Sequence, residues 1–129
     1  MIDLEKKRLA TRFIDALRAR DAAMLEPIMT EDVVWSLPGS SVVSGEARGV
    51  AGIVARAERF AARSLTIEIL HVVYGHAGVA LLLHNTGAHG GARLDEHLTT
   101  VLQLEGERIK RLDTYISDVG MLDRYFGGP

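Results

Sequence analysis

From residue 64 onward the chain is cut into four strand-like runs, 64–74, 78–87, 93–104 and 108–117, and no other feature constrains its fold as tightly. The punctuation is Gly75-His76-Ala77-Gly78, then Gly87-Ala88-His89-Gly90-Gly91, then Glu105-Gly106-Glu107. A parallel crossover needs roughly a dozen residues or more, so connections this short force neighbouring runs to pair antiparallel as hairpins, a meander.

The first half has a different period. Leu9, Phe13 and Leu17 recur at i, i+4 and i+8, with Ala10, Ile14 and Ala16 beside them, which is one apolar face of a helix. Arg20-Asp21 ends it. Asp21 suits the N-cap of a second, shorter helix through Met24, Leu25, Ile28 and Met29, which Pro27 kinks or shortens. Residues 33–37 read as a strand stopped by Pro38-Gly39. Val50, Ile53, Val54, Ala57, Phe60 and Ala61 mark a third helix after Gly49, and Asp118 caps a last short helix with Leu122, Tyr125 and Phe126. Helices first and a meander afterwards predict an α+β fold with the helices on one sheet face. The 129 residues, 47% of them hydrophobic, suffice for one domain over 1–129 with a substantial core.

Composition removes several function classes. Lys and Arg number 15 against 17 Asp and Glu, for a net charge of −2, and no basic run exceeds Lys6-Lys7-Arg8. That is not the footprint of a nucleic-acid binder. There is no cysteine, so disulfides, thiolate metal sites and cysteine nucleophiles drop out. No apolar run approaches roughly 18 residues, which argues against a membrane span. The charged start Met1-Ile2-Asp3-Leu4-Glu5-Lys6 lacks the apolar stretch of a signal peptide, so the cytoplasm is the expected compartment. Ser44-Gly45 to Gly49 has neither the spacing nor the following Lys of a phosphate-cradling loop, and no cofactor is expected.

The order of several short segments carries a family likeness. They are Arg12-Phe13-Ile14-Asp15-Ala16-Leu17, Arg20-Asp21, Thr30-Glu31-Asp32-Val33-Val34-Trp35, and Ser44-Gly45 followed by Gly49. Gly87-Ala88-His89-Gly90-Gly91, Glu105-Gly106-Glu107-Arg108-Ile109 and Asp113-Thr114-Tyr115 continue the series. Together they resemble the SnoaL-like branch of the nuclear-transport-factor-2-like superfamily, over nearly the whole chain. The resemblance implies a cystatin-like cone: a curved, mostly antiparallel sheet wrapped against three helices, with an apolar pocket open at one end and a short C-terminal helix. Ketosteroid isomerases, polyketide cyclases, limonene-epoxide hydrolases, scytalone dehydratase and binding or interaction domains share that scaffold, so it implies no single function. It also implies a homodimer formed through the sheets.

Strand alternation assigns faces. A turn at 75–78 sets Ile69 opposite His84 and His71 opposite Leu82, and a turn through 87–93 sets His84 opposite Glu96 and Leu82 opposite Leu98. The concave face then carries His71, Leu82, His84, Glu96, Leu98 and Thr100. Leu112, Thr114 and Ile116 join it if the last turn is three residues, whereas a one-residue slip puts Arg111, Asp113 and Tyr115 inside instead. The convex face carries Leu70, Val72, Tyr74, Leu81, Leu83 and Val101, an apolar set that a second copy of the chain is expected to cover.

The chemistry is less determined. The ketosteroid-isomerase positions fall on Phe13, Leu37 and Thr100, none of which supplies the required tyrosine or acids. The Asp-Arg-Asp of epoxide hydrolases maps to residues 83–85 and to Thr114 beside Asp113, and fails in the first place. What is left inside is His84 with Glu96, a pair that could act as general base, anchor a ligand or merely satisfy one another. His71, His84 and His97 are thirteen apart, but alternation separates His97 from the others, and His76 and His89 sit at turns, so no metal site is expected. Trp35 faces inward with Leu37, as core or as a wall for a ligand, and Phe13, Leu17 and Phe60 complete the lining. Three readings remain open: a pocket protein for a small apolar molecule, a cofactor-free isomerase, cyclase, lyase or hydrolase, and a dimeric interaction module.

Overall fold

A computed structural model describes residues 1–127. The helical period of the first segment gives α1 (Asp3–Ala19), with Leu9, Ala10, Phe13, Ile14 and Leu17 buried along one side. Arg20 turns left-handed at φ 54, and Asp21 accepts a hydrogen bond from Ala23 N at 2.9 Å to cap α2 (Ala22–Leu25). The second helix stops there. Pro27 sits in a single 3₁₀ turn, Glu26–Ile28, and Met29 is already extended, because a ring without an N–H cannot sustain the helical ladder.

The strand expected at 33–37 is longer, β1 (Met29–Leu37), and β2 (Gly45–Arg48) follows, four residues too short for any alternation to be read. Then come α3 (Gly49–Ala62), β3 (Thr66–Tyr74), β4 (Gly78–His89), β5 (Ala92–Glu105), β6 (Arg108–Ile116) and α4 (Val119–Phe126). The six strands make one sheet in the order β2-β1-β6-β5-β4-β3. The meander from β3 to β6 is antiparallel throughout, β1 lies parallel to β6, and β2 pairs antiparallel with β1. The fold is α+β with a curved, mostly antiparallel sheet, and α1, α3 and α4 pack on its concave side. Asp118 accepts from Met121 N at 3.0 Å as the N-cap of α4, and Asp123 accepts from Ser40 N at 3.0 Å, tying α4 to the loop after β1. No helix among the described residues is long and apolar enough to cross a membrane.

Two registers differ from those read off the sequence. The β4–β5 hairpin turns on two residues, Gly90 and Gly91, at φ 56 and φ 83, with His89 paired to Ala92. Positive φ at both central positions is the tight turn whose twist suits a hairpin. It sets His84 opposite His97, Asn85 opposite Glu96 and Leu83 opposite Leu98, one residue away from the pairing obtained by taking 87–93 as the turn. A slip of one reverses the whole strand. Val79, Leu81, Leu83 and Asn85 are therefore buried in β4, while Leu82 and His84 face outward. In β3 a bulge at Leu70 separates the pairs Ile69–Leu83 and His71–Leu82. Ile67, Ile69 and Val72 turn inward and His71 is exposed.

The convex apolar set changes accordingly. Val72, Leu81 and Leu83 belong to the core side. Tyr74 shares their parity but stands 41% exposed at the strand end. Leu70 and Val101 are exposed as expected, and Val73, Leu82 and Tyr115 join them on the outer side. In β6 the register puts Leu112 and Thr114 inside and leaves Asp113 and Tyr115 outside.

Candidate ligand pocket

The pocket forms because each element contributes one apolar stripe to the same interior. From α1 come Phe13, Ile14 and Leu17; from β1, Trp35 and Leu37; from α3, Phe60. The sheet floor is Ile67, Leu83, Leu98 and Ile116, with Leu94 further along β5. Leu122 and Phe126 of α4, with Leu65, close the remaining side. Aromatic rings interlock along one wall: Phe13 to Trp35 at 5.6 Å between centroids and Trp35 to Phe60 at 5.9 Å, both edge to face, and Phe60 to Phe126 at 5.7 Å with the rings tilted.

One end of the cavity is fully satisfied. Trp35 Nε1 donates to Thr114 Oγ1 at 2.8 Å, and Thr114 shares a 2.9 Å hydrogen bond with Thr100. Behind the indole, the buried Arg56 guanidinium lies 4.9 Å over the ring and donates to Trp35 O and Gly45 O, both at 2.8 Å. Burial lowers the Arg56 pKa to about 10, which leaves it charged at neutral pH.

The other end is not. Among the described residues three buried side-chain polar atoms have no hydrogen-bond partner, and two of them line this cavity: Glu96 Oε2 and Asn85 Oδ1. They are cross-strand partners on one face, so their Cβ atoms stand about 4.5–5.5 Å apart. Glu96 is 3% exposed. Burial, with a smaller push from the Asp118 carboxylate, raises its pKa from 4.5 to about 7. No basic side chain lines the cavity.

The free space is small. The centre of a water-sized sphere reaches about 20 Å³ of it, room for about one water. A cyclic ligand therefore enters only as the aromatic rings part.

The structure brings together Phe13, Leu17, Trp35, Leu37, Phe60, Glu96, Leu98, Thr100 and Ile116 around the cavity. Thr114 touches it through its bond to Trp35, and Leu112 lies deeper in the core. Three residues expected inside are elsewhere. Leu82 and His84 are reversed by the two-glycine turn, and His71 by the bulge at Leu70. The His84–Glu96 pair is thus not assembled: the two side chains leave the sheet on opposite faces. His84 instead bonds Asp95 through Nε2 at 2.6 Å, approaches Glu68 at 3.6 Å and stacks on His97 at 4.6 Å. The hydrogen bond that His84 donates to the Asp95 carboxylate, helped by Glu68, raises its pKa. No cluster of His, Asp or Glu suited to a metal ion occurs among the described residues. Asn85 is the polar pocket residue that alternation alone misplaces. Its signal is Gly90-Gly91, since counting outward from a two-residue turn pairs it with Glu96.

The sequence model of a family described as SnoaL-like domain matches residues 10–112. Among solved structures, Bal32a from a soil-derived mobile gene cassette is 23% identical, covering 95% of this chain and 98% of that one at a TM-score of 0.83. A Xanthomonas campestris protein of unknown function with a cystatin-like fold is 24% identical, with the same coverage and a TM-score of 0.82. A putative SnoaL-like polyketide cyclase from Jannaschia sp. CCS1 is 14% identical over 99% of this chain and 96% of that one, at 0.75. No curated protein matches the chain. At these identities the structural likeness speaks for the fold alone.

Glu96 predicts a pH dependence of stability. The folded protein holds this proton between about pH 4.5 and 7, where the unfolded chain has released it. Stability is then greatest below that window and falls as pH rises through it, by about 3 kcal/mol at most. His84, with a raised pKa, acts in the same direction at higher pH. Urea midpoints across this range should decline in the wild type, and Glu96→Gln should flatten the lower part of the decline. A midpoint that rises with pH in the wild type would contradict the burial of Glu96.

Proposed function

The chain belongs to the SnoaL-like domain family, and from that premise we propose that it is a small-molecule-binding protein whose ligand site is the cavity around Glu96. The observation that carries the reading is the pair of unpartnered oxygens on Asn85 and Glu96 inside an otherwise apolar lining. Buried polar groups are nearly always paired, and an apolar pocket with a few convergent polar groups is the usual form of a ligand site. The narrowness of the free space supports a ligand no larger than one ring, with the Phe13 and Phe60 rings adjusting around it against the indole that Thr114 and Arg56 hold.

Trp35, the chain's one tryptophan, reports on the cavity it lines. Titration with toluene should change its fluorescence saturably. Ile116→Phe, which fills the half-buried rim of the pocket without adding a second indole, should weaken that binding about tenfold, a loss of about 1.4 kcal/mol. No saturable change in the wild type would count against a ligand pocket.

A second reading is supported by Glu96 alone. A buried carboxyl titrating near 7 suits proton transfer at neutral pH, so a cofactor-free isomerase, cyclase, lyase or hydrolase would use Glu96 without His84. The Jannaschia neighbour, a putative SnoaL-like polyketide cyclase, lends that class to this reading. Turnover of a cyclic ketone or polyketide substrate that survives Glu96→Gln unchanged would rule it out.

We propose also that a second copy covers the convex face, where Leu70, Val73, Val101 and Tyr115 are each more than a third exposed. That face carries both signs of charge, with His84 beside Asp95 and Arg111 beside Asp113 at 3.2 Å, as a self-complementary contact requires. Light scattering should give twice the 14.1 kDa chain mass, and Val101→Lys should halve it. A wild-type protein that stays at the chain mass at high concentration is a monomer, and the proposal fails.

A further inference from the structure

We propose that the corner formed by Glu96 and Asn85 receives the amino group of a small apolar amine, with the amine's ring against the wall of Phe13, Trp35 and Phe60. The inference rests on the cavity being the ligand site and adds the chemistry of what it takes.

The argument is a count of donors and acceptors. With Glu96 ionised, its Oε2 and Asn85 Oδ1 are both acceptors without partners, side by side on one face of the sheet. A ligand hydroxyl brings one hydrogen, whereas an ammonium brings three from one atom and can serve both oxygens together. The other polar groups need nothing. Trp35 N–H and Thr100 are bonded through Thr114, and Arg56 is held by two carbonyls behind the indole. Demand for a hydrogen bond is thus confined to one corner, and the rest of the lining asks for an apolar ring.

Charge selects in the same sense. The linings from α1, α3, β1, β3, β4 and β6 hold no titratable side chain, and Glu96 is the one on β5. From α4, Asp118 adds a second negative charge near Glu96. A ligand carboxylate or phosphate would meet two acceptors and two acidic groups with no cation to offset them. An ammonium meets complementary charge. Above about pH 7 the carboxyl is already ionised in the folded protein, so there the ion pair offsets a desolvation cost the fold carries and adds only that of the ammonium. With a cation beside it, Glu96 ionises and releases the proton that burial had kept on it.

The probes are benzylamine, benzyl alcohol and toluene, which share a ring and differ in the group at the corner. Benzylamine is a cation in water throughout the range used. Titrated against Trp35 fluorescence, it should bind about tenfold more tightly at about pH 8 than at about pH 6, the ratio of ionised fractions for a group titrating near 7. His84, whose raised pKa makes it lose charge on the opposite face as pH rises, acts on the cation alone, and Glu96→Gln, which keeps His84, separates its contribution from that of Glu96. Glu96→Gln should remove the pH dependence and weaken benzylamine about tenfold at the higher pH while leaving toluene unchanged. Asn85→Ala should weaken benzylamine and benzyl alcohol more than toluene. The wild-type pH comparison stands even if a variant folds poorly. If toluene binds and benzylamine gains nothing with pH, the corner holds only water and the amine assignment is overturned, while the pocket stands. If none of the three probes binds, both the pocket and this inference fall.

Discussion

The two-residue turn at Gly90 and Gly91 decides which half of the long hairpin sees the interior. Because side chains alternate with period two, one turn residue more or less would exchange every inward and outward position of β4. With the turn as it is, Asn85 stands beside Glu96 over the cavity and His84 stands beside His97 on the outer face. The electrostatic character of both faces follows. Outside, a histidine is held between two carboxylates in reach of water. Inside, an acid and an amide share an apolar enclosure with no counter-charge.

That interior is asymmetric in how its polar groups are settled. At one end the indole of Trp35 is pinned on three sides: its N–H by Thr114, its ring face by Arg56, and its edges by Phe13 and Phe60. Arg56 is a buried cation whose desolvation is offset by two carbonyls and a π face, and it staples β1 and β2 to α3. Such a closed network positions a rigid wall. At the other end nothing answers Glu96 and Asn85, and no rearrangement of the settled end could, since its donors are committed.

Much of this was legible in the chain, and the division is physical. The helix stripe Leu9, Phe13, Leu17, the inward parity of Trp35, and the α+β order need only local periods and short connections. The reversal of His84 and Leu82 turns on whether Gly87 belongs to the turn or to the strand. It belongs to the strand for a tertiary reason: a Cβ there would stand 2.5 Å from Tyr125 Oη and 3.0 Å from its Cζ. That glycine is required by the packing of α4 on β4, which no local pattern announces. The glycines that do make the turn carry their own signal, a Gly-Gly pair between alternating runs. The bulge at Leu70 had none. It follows a regular apolar alternation and moves His71 outward without a glycine, proline or break in composition to mark it.

The contrast between the two candidate groups then bears on function. His84 has every feature that draws the eye in a sequence, yet its partners satisfy it at the surface, and little is stored there. Glu96, read in the sequence only as the partner of His84, is unsettled in structure. An alkyl side chain at that position would complete the core and relieve the fold of a carboxyl it can keep neutral only below about pH 7. A local choice that works against stability, repeated across the strand by Asn85, is what a site selected for binding or proton transfer looks like. Because the surrounding rings leave room for about one water, any molecule entering the cavity must itself supply the energy for opening it. The unsatisfied corner is where that molecule has most to gain.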